Sequence, residues 1–348
     1  MERILVRGPN WLGDLVMATG SFADLKASFP EARIDFLLPR SRRGVLAGAS
    51  YFGEFIADPG RSPREILRVA GEVRARRYDL AVVYPNSLRS ALIPFLAGIP
   101  RRAGYAGNWR RWLLTTALKE PYGRPKQKPG PRMFPYPMPE RYAQLIRAAG
   151  AAPGDGRPRI AVDAECEERA RAWRRSKGIA DGERLIGINP GAAFGASKLW
   201  PLDRFSALAD ALVEKTGRRA IVFVGPGEEA IGREIESRMR QKPVTTHDAP
   251  LGLDLMKPVV RDLALLVTTD TGTRQYAVAF RVPILVVMGP THPGFSNANL
   301  DETVVVRRDV PCGPCHLKIC PIDHRCMTEI SVEEMLSRAL ELLQRFPR

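Results

Sequence analysis

Short apolar runs alternate along this chain with stretches of helical spacing, and no other feature restricts its fold as strongly. In the first half, Ile4–Val6, Ile34–Leu38 and Leu80–Tyr84 are rich in the branched and aromatic side chains that favour strands. Between the first two runs, apolar residues recur at spacings of three and four from Leu15 to Leu25, as on one face of a helix. Strands that alternate with helices form parallel β-α-β units, so the sequence predicts an α/β fold.

The second half repeats this alternation, and each of its apolar runs ends in a loop containing Gly or Asp. The runs are Leu185–Ile188, Ala220–Val224, Leu265–Thr268 and Ile284–Val287. The loops after them are Asn189–Gly191, Gly225–Gly227, Asp270–Gly272 and Gly289–Thr291. Ligands of doubly wound sheets bind where the carboxyl ends of the strands open into such loops. We therefore predict two Rossmann-like domains that face one cleft.

Prolines and glycines mark the expected domain boundaries. Residues 121–139 contain seven prolines and four basic residues, which predicts a loop or lid. A second Pro/Gly cluster at 153–158 follows a helix-like stretch and is the best candidate for the inter-domain region. We predict a first domain at 1–157, a second at 158–330, and a C-terminal helix at 331–348 that packs back on the first domain.

Basic residues are concentrated in the first half. The chain has 53 Lys+Arg against 38 Asp+Glu, a net charge of +15. Residues 1–150 carry +13 of this and residues 151–348 only +2. Such a field attracts nucleic acid, an anionic membrane surface or a phosphorylated substrate. General use of Arg for solubility would explain the total net charge, but it explains the difference in charge between the two halves less well.

The hydropathy pattern excludes several other classes of protein. No apolar run approaches the roughly 18–20 residues that span a bilayer. The N-terminus lacks the long apolar core and cleavage site of a signal peptide, so we expect a cytoplasmic protein. With 45% apolar residues, the chain is unlike a disordered tail or a disulfide miniprotein.

A glycine-rich turn follows the first predicted strand and ends in Asp14. Gly8 and Gly13 have the spacing of a phosphate loop, but Asp14 and Leu15 stand where that motif needs Lys and Ser/Thr. A carboxylate there would repel phosphate. At the junction of strand and helix, Asp14 is equally compatible with helix capping and with work as a general base.

Lys198 closes a loop of small residues between a predicted strand and helix. Backbone N–H groups of this loop, the Ser197 hydroxyl and the Lys198 ammonium suit a diphosphate. The alternative is a solvated surface lysine.

Asp270, Thr271 and Gly272 end another predicted strand, with Arg274 and Gln275 opening the next helix. The Thr271 and Gly272 amides can bind phosphate at a helix N-terminus, and Asp270 can accept hydrogen bonds from sugar hydroxyls. Asp-Thr-Gly also occurs in aspartic proteases, but there it comes twice and in all-β lobes.

Four of the five cysteines are clustered near the end of the chain, with two histidines between them. They are Cys312, Cys315, Cys320 and Cys326. In a cytosolic protein, such density favours a metal over disulfides, and both Zn²⁺ and an iron–sulfur centre are open. Because the spacings fit no standard finger, reduced or redox-linked thiols remain the alternative.

Taken together, these motifs identify a resemblance. The sequence resembles the ADP-heptose:lipopolysaccharide heptosyltransferases of glycosyltransferase family 9, and most closely the heptosyltransferase II group. The stretches that carry the resemblance are Ile4–Asp14, Tyr84–Ala91, Ala97–Tyr105, Pro190–Ala192, Lys198–Pro201, Thr269–Gly272 and Gly289–Pro293.

The resemblance implies a GT-B fold and an inverting, metal-independent transfer of heptose from ADP-L-glycero-β-D-manno-heptose to the lipopolysaccharide inner core. It places the family's base on Asp14, its phosphate-binding lysine on Lys198, and its donor loop on residues 270–272. It also implies no cofactor for catalysis.

Further donor contacts are implied by position. Glu228 or Glu229 would reach the ribose, and Leu251 would pack against adenine. This chain departs from the family at Gln275, where a histidine usually helps to hold the pyrophosphate. Gln can donate a hydrogen bond but carries no charge, and Arg274, if turned inward, would restore the cation.

The expected partners follow from the charge asymmetry and the resemblance. An acceptor-binding first domain at +13 would be drawn to the anionic inner core and to the inner face of the inner membrane. The alternatives are a GT-B transferase with another nucleotide sugar or acceptor, and a nucleic-acid-binding protein. Because no nucleic-acid-binding motif is recognisable, no nucleic acid is expected.

Overall fold

The computed structural model describes residues 1–120, 136–191 and 193–348. The described residues up to Asp163 form one compact unit, unit 1, and those from Ala164 onwards form a second, unit 2. Most of the proline-rich segment that we predicted as a loop or lid, residues 121–135, lies outside the described residues.

Unit 1 is a parallel sheet with helices. Its strands are β1 (Arg3–Arg7), β2 (Arg33–Leu38), β3 (Phe55–Ala57), β4 (Leu80–Val83), β5 (Arg101–Tyr105) and β6 (Thr116–Leu118). Its helices are α1 (Leu12–Ser28), α2 (Arg43–Leu46), α3 (Pro63–Ala75), α4 (Leu88–Leu96) and α5 (Met138–Ala148). The strands lie in the order β3-β2-β1-β4-β5-β6.

Both faces of this sheet are covered, which explains its nearly continuous apolar central strands. Neighbouring residues of β2 point to opposite faces: the Phe36 ring packs edge-on against Phe22 of α1 at 5.1 Å. Leu37 instead joins the core that includes Val69 of α3 and Ala91 of α4.

The Pro/Gly cluster at 153–158 belongs to unit 1 because α1 holds it. Asp24 accepts a hydrogen bond from the Gly154 amide at 2.8 Å, and Thr19 accepts one from the Arg159 amide at 2.8 Å. A Cβ on Gly20 would collide with the Arg157 carbonyl oxygen, so only glycine permits this close approach. The chain therefore divides at residues 163–164, six residues after the boundary that we predicted.

Unit 2 repeats the architecture. Its strands are β7 (Ile186–Asn189), β8 (Ala220–Val222), β9 (Val244–Thr245), β10 (Leu265–Thr269), β11 (Ile284–Val287) and β12 (Thr303–Val306). Its helices are α6 (Ala164–Ser176), α7 (Leu202–Thr216), α8 (Glu229–Arg238), α9 (Met256–Arg261), α10 (Gly272–Ala279), α11 (Arg325–Thr328) and α12 (Val332–Arg345). The strands lie in the order β9-β8-β7-β10-β11-β12.

Both units thus have the strand order 3-2-1-4-5-6 of a Rossmann fold, which confirms the α/β class predicted from the alternating pattern. Helix α12 packs against α7 and β11 of its own unit. Its expected contact with the first domain stays a prediction.

None of the helices within the described residues is long and apolar enough to cross a bilayer.

Candidate active site

The candidate site residues lie at the carboxyl ends of the central strands in each unit. In this topology the strand order reverses between β1 and β4 in unit 1, and between β7 and β10 in unit 2, and ligands bind at such switch points. Asp14 follows β1, whereas Lys198 follows β7 and Asp270 follows β10. The structure therefore brings Lys198 and Asp270 together in unit 2, and it places Asp14 in unit 1.

Asp14 lies in the first turn of α1 and is half-buried. The N-cap residue of this helix is Trp11, whose side chain makes no cap hydrogen bond. Asp14 is thus three residues beyond the N-cap position that we considered for it. A carboxylate in the first turn interacts favourably with the positive end of the helix dipole.

The loop that leads to Asp14 is held by a buried arginine. Arg7, the last residue of β1, is 1% exposed and donates to Asp58 Oδ2 at 2.5 Å and to Asn10 Oδ1 at 2.8 Å. Arg89 of α4 donates to the other oxygen of Asp58 at 2.6 Å. Arg42 donates to the Asn10 carbonyl at 3.0 Å. These bonds fix the backbone immediately before α1.

The carboxylate at the centre of this network is charged. Burial alone would raise the pKa of Asp58, but the charges of Arg7 and Arg89 and the hydrogen bonds to the carboxylate keep it below its usual value. Burial lowers the pKa of Arg7 to about 10, which leaves the guanidinium protonated at neutral pH. Asp58 and Arg89 were not among the predicted site residues; the available signal was Arg7 directly after the apolar run Ile4–Val6.

In unit 2, Lys198 is not a solvated surface lysine. It is 8% exposed, and its Nζ donates to Asp270 Oδ2 at 2.8 Å and to the Asp270 carbonyl at 2.9 Å. The ammonium also lies 5.1 Å from the centre of the Phe194 ring. The lysine and the Asp-Thr-Gly corner therefore form one site.

Arg274 supplies a second cation to this site. It is 1% exposed, and its Nη1 lies 3.2 Å from Asp270 Oδ1 and 2.9 Å from Ser296 Oγ. Burial would raise the pKa of Asp270, but the charges of Lys198 and Arg274 hold it below its usual value. Arg274 is thus turned inward, as we considered, and Gln275 beside it is buried as well.

The start of α10 presents the expected phosphate-binding backbone. Thr271 is the N-cap residue and Gly272 the first helical residue. The Thr271 hydroxyl accepts a hydrogen bond from Asn189 Nδ2 at 2.9 Å, which ties the corner to the end of β7. Amides at a helix N-terminus are suited to an anion.

Ser197 is hydrogen-bonded to the segment that carries the cysteines. Its hydroxyl donates to the Leu317 carbonyl at 2.5 Å, and its amide donates to the Lys318 carbonyl at 3.0 Å. Its own carbonyl accepts from His324 Nε2 at 2.6 Å. The hydroxyl that we assigned to the diphosphate is therefore engaged in tying the Lys198 loop to the cysteine-bearing segment.

The predicted ribose and adenine contacts lie on the neighbouring loops. Glu228 accepts from the Gly225 amide at 3.0 Å and packs so closely on Gly191 that a Cβ there would collide with its carboxylate. Glu229 instead accepts from the Gly227 amide at 2.9 Å. Glu228 is thus the glutamate that reaches the loop after β7. Leu251 is partly buried in the loop after β9.

One contact to this site and one histidine near it were not predicted. Thr291 donates to Asp270 Oδ2 at 3.2 Å. His316 Nε2 accepts from the His292 amide at 3.2 Å, which leaves the ring proton on Nδ1. Burial, followed by the charges of His292 and Lys198, lowers the pKa of His316 to about 4, so the ring is neutral at pH 7. The sequence marked His316 only as a neighbour of the cysteines.

The four clustered cysteines line one cavity of about 160 Å³, and all of them are free thiols. Within the described ranges, no group of three or more His, Cys, Asp or Glu side chains is placed to hold a metal ion. Burial, followed by the neighbouring thiols, raises the pKa of Cys326 to about 11. Of the two possibilities that the sequence left open, a structural zinc or iron–sulfur centre on Cys312, Cys315, Cys320 and Cys326 is therefore not supported.

Comparison with known protein families gives one match that covers most of the chain. The model of glycosyltransferase family 9 (heptosyltransferase) matches residues 66–325. The chain is 32% identical to the lipopolysaccharide heptosyltransferase 2 of Salmonella typhimurium, over 88% of each protein. It is 30% identical to the enzyme of the same name from Escherichia coli K12, again over 88% of each.

Solved structures agree with this match. The E. coli ADP-heptose lipopolysaccharide heptosyltransferase II superimposes with a TM-score of 0.78 and 24% identity, over 99% of both chains. A family 9 glycosyltransferase from Veillonella parvula gives 0.82 and 22%, over 99% of this chain and 98% of that one. The predicted GT-B class is therefore confirmed.

Proposed function

Because the chain belongs to glycosyltransferase family 9, the heptosyltransferases, we propose that it transfers heptose from ADP-L-glycero-β-D-manno-heptose to the inner core of lipopolysaccharide. The observation that carries the proposal is the buried cluster of Lys198, Asp270 and Arg274 at the switch point of unit 2. Two cations around one carboxylate leave a net charge of +1, next to the N-terminus of α10. A positive charge beside the amides of a helix N-terminus is suited to binding a diphosphate.

The donor cluster would act mainly on the leaving group. As the bond between the anomeric carbon and the ADP oxygen breaks, negative charge grows on the diphosphate. Lys198 has a mobile ammonium that can exchange the Asp270 carbonyl for a phosphate oxygen, and the amides of Thr271 and Gly272 add fixed donors. In many enzymes, preorganised donors aimed at developing charge stabilise the transition state more than any other interaction does.

Arg274 takes over the charge that the family usually places at the position of Gln275. The arginine reaches Asp270 from the same turn of α10, and Ser296 holds its guanidinium. Gln275 is left to act as a hydrogen-bond donor. We therefore propose that the donor remains ADP-heptose despite this departure.

Asp14 would act as the general base. Its carboxylate takes the proton of the acceptor hydroxyl while that oxygen attacks the anomeric carbon, so one bond forms as the bond to ADP breaks. A single displacement inverts the anomeric configuration. General-base catalysis of this kind contributes about 10²- to 10⁴-fold to rate.

The acceptor and its surroundings are anionic, which agrees with the charge of the first half of the chain. Residues 1–150 carry a net charge of +13. We propose that this half binds the phosphorylated inner core and contacts the inner membrane surface peripherally.

Two substitutions distinguish the proposed role of Asp14 in proton transfer from that of Lys198 in donor binding. Asp14→Asn is expected to lower turnover by about 10²-fold or more while leaving the Kd of ADP-heptose unchanged. Lys198→Ala is expected to raise that Kd by about tenfold or more, because it removes a charge-assisted hydrogen bond. Lys242→Ala, at an exposed lysine of the same unit, is the control.

Turnover is measured as ADP release with purified protein and a defined acceptor, and Kd by calorimetry. Near-normal turnover of Asp14→Asn would remove this residue as the base, and an unchanged Kd would remove Lys198 from the donor site. A panel of other ADP- and UDP-sugars tests the donor: a faster reaction with one of them would replace ADP-heptose in the proposal.

A further inference from the structure

A tryptophan of unit 1 is held in solvent by a strained turn. Trp109, between β5 and β6, is 92% exposed. Both Asn108 and Trp109 have left-handed backbones, with φ of 48° and 60°. This conformation is uncommon for residues other than glycine and an outlier for bulky ones, and such strain persists only where the surroundings enforce it. At this exposure the ring buries almost none of its surface against the described part of unit 1.

The turn is fixed from both sides. Asn108 donates to the Asn86 carbonyl at 2.7 Å. Arg110 is fully buried and donates to the Ser87 carbonyl at 3.2 Å and to Ser90 Oγ at 2.9 Å. Since the residues before and after Trp109 are both anchored at the start of α4, the backbone that carries the ring is held in a defined position.

Further apolar side chains extend the exposed surface along α4. Leu88 and Leu96, which are two turns apart on this helix, are both exposed. Trp112 is 63% exposed and packs edge-on against Phe95 at 5.4 Å. Single exposed apolar residues are ordinary, but several on one helix and on the loop packed beside it are typical of an interaction site. We call this group, Leu88, Leu96, Trp109 and Trp112, the tryptophan face.

Basic residues predominate in the sequence that carries the tryptophan face. Residues 80–120 contain six basic residues, of which Arg110 is buried and Arg89 is paired with Asp58, and one acidic residue. The acidic residue, Glu120, is paired with the buried Arg141 at 2.9 Å. The guanidinium carbon of Arg102 lies 5.5 Å from the centre of the Phe95 ring, against which Trp112 also packs. Indole rings beside arginines are typical of the headgroup region of a bilayer, and basic residues favour anionic lipid.

We propose that the tryptophan face docks unit 1 on an anionic lipid bilayer, with Trp109 and Trp112 inserted among the headgroups. The choice of a bilayer rests on the proposed function, because a lipid-borne acceptor lies at such a surface. The docking itself uses none of the residues that we assigned to donor binding or proton transfer.

The test uses the full chain and vesicles, without donor or acceptor, so a failure here leaves glycosyl transfer unaffected. Co-sedimentation is measured with vesicles of phosphatidylglycerol and phosphatidylethanolamine, and with vesicles of phosphatidylcholine alone. We expect binding to the anionic vesicles, weaker binding at high salt, and a blue shift of tryptophan emission. The double substitution Trp109→Ala and Trp112→Ala is expected to weaken binding by at least about tenfold.

Ile322→Ala, at an exposed apolar residue of unit 2, is the matched control and should bind like the wild type. Wild-type binding by the double variant, or no binding of the wild type to anionic vesicles, would overturn the proposal. Sedimentation velocity provides a second readout: if the double variant loses self-association instead of vesicle binding, the face is a contact between copies of this chain and the bilayer is excluded as its partner.

Discussion

Asp58→Asn is expected to destabilise unit 1 by about 3 kcal/mol. The Asp58 side chain is 4% exposed and pairs with the 1% exposed Arg7. Removing one partner of a buried pair leaves an uncompensated charge and costs about 3–5 kcal/mol. The lower end applies because Arg7 keeps its bonds to Asn10 Oδ1 and to the Gly8 carbonyl.

Urea denaturation followed by circular dichroism measures this loss. With a slope of about 2 kcal/mol per molar urea, the midpoint of the unit 1 transition should fall by about 1.5 M. The control is Glu65→Gln, which breaks the exposed Arg68–Glu65 pair and should change stability by less than about 0.5 kcal/mol. Equal losses in the two variants would refute the argument from burial.

The effect also has a defined pH dependence. Since the pKa of Asp58 is lowered in the folded protein, the pair stabilises unit 1 above the unfolded pKa of about 4 and loses this contribution as pH falls through the folded value. The difference between wild type and Asp58→Asn should therefore be constant from pH 5 to 8 and shrink in acid. A difference that grows below pH 4 would contradict the assignment of charge.

Two further substitutions test unit 2. Ser197→Ala should lower the thermal midpoint and weaken ADP-heptose binding several-fold, because the Leu317 carbonyl loses its donor at a cost of about 1–3 kcal/mol; unchanged melting and affinity would show that this tie does not position the loop. Gln275→His should strengthen donor binding at pH 6 relative to pH 8, because imidazole gains charge in that range. Calorimetry at both pH values, with wild type as reference, checks this, and an identical ratio in both proteins would speak against it.

The central strands could be predicted from the sequence because they are buried on both faces and read as apolar runs, as in β1, β4 and β10. The strands that we did not predict are mostly short or amphipathic. β3 has three residues and β9 two, and β5 begins with two arginines. Such segments become strands through pairing with a neighbour, which periodicity along the chain does not record.

Side-chain networks were harder to predict than strands. Arg7 and Asp58 are 51 residues apart, and Ser197 and Leu317 are 120 apart. Arg7 and Asp58 meet because β1 and β3 end at the same edge of one sheet, whereas the loop of Ser197 meets the segment that follows β12. The predicted domain boundary lies six residues before the observed one for a similar reason. Nothing in the sequence of the cluster at 153–158 indicates that Asp24 and Thr19 of α1 accept hydrogen bonds from the neighbouring backbone amides.

The two units use the same strand order to build the same kind of cluster, with different consequences. Unit 1 places Asp58 between Arg7 and Arg89, and unit 2 places Asp270 between Lys198 and another buried arginine. In each case two cations and one carboxylate leave a net charge of +1. The two carboxylates differ in access to solvent, because the Asp58 side chain is 4% exposed and the Asp270 side chain 20%.

A carboxylate that is closed to solvent can only support the fold around it, whereas a partly exposed one can exchange part of its pairing for a ligand. Substitution of Asp58 should therefore appear first in the free energy of unfolding, and only secondarily in turnover through the loop that carries Asp14. Substitution of Lys198 should appear first in donor affinity. The order of these effects, measured on the same preparations, tests whether exposure of the carboxylate separates a structural role of the first cluster from the diphosphate binding that we propose for the second.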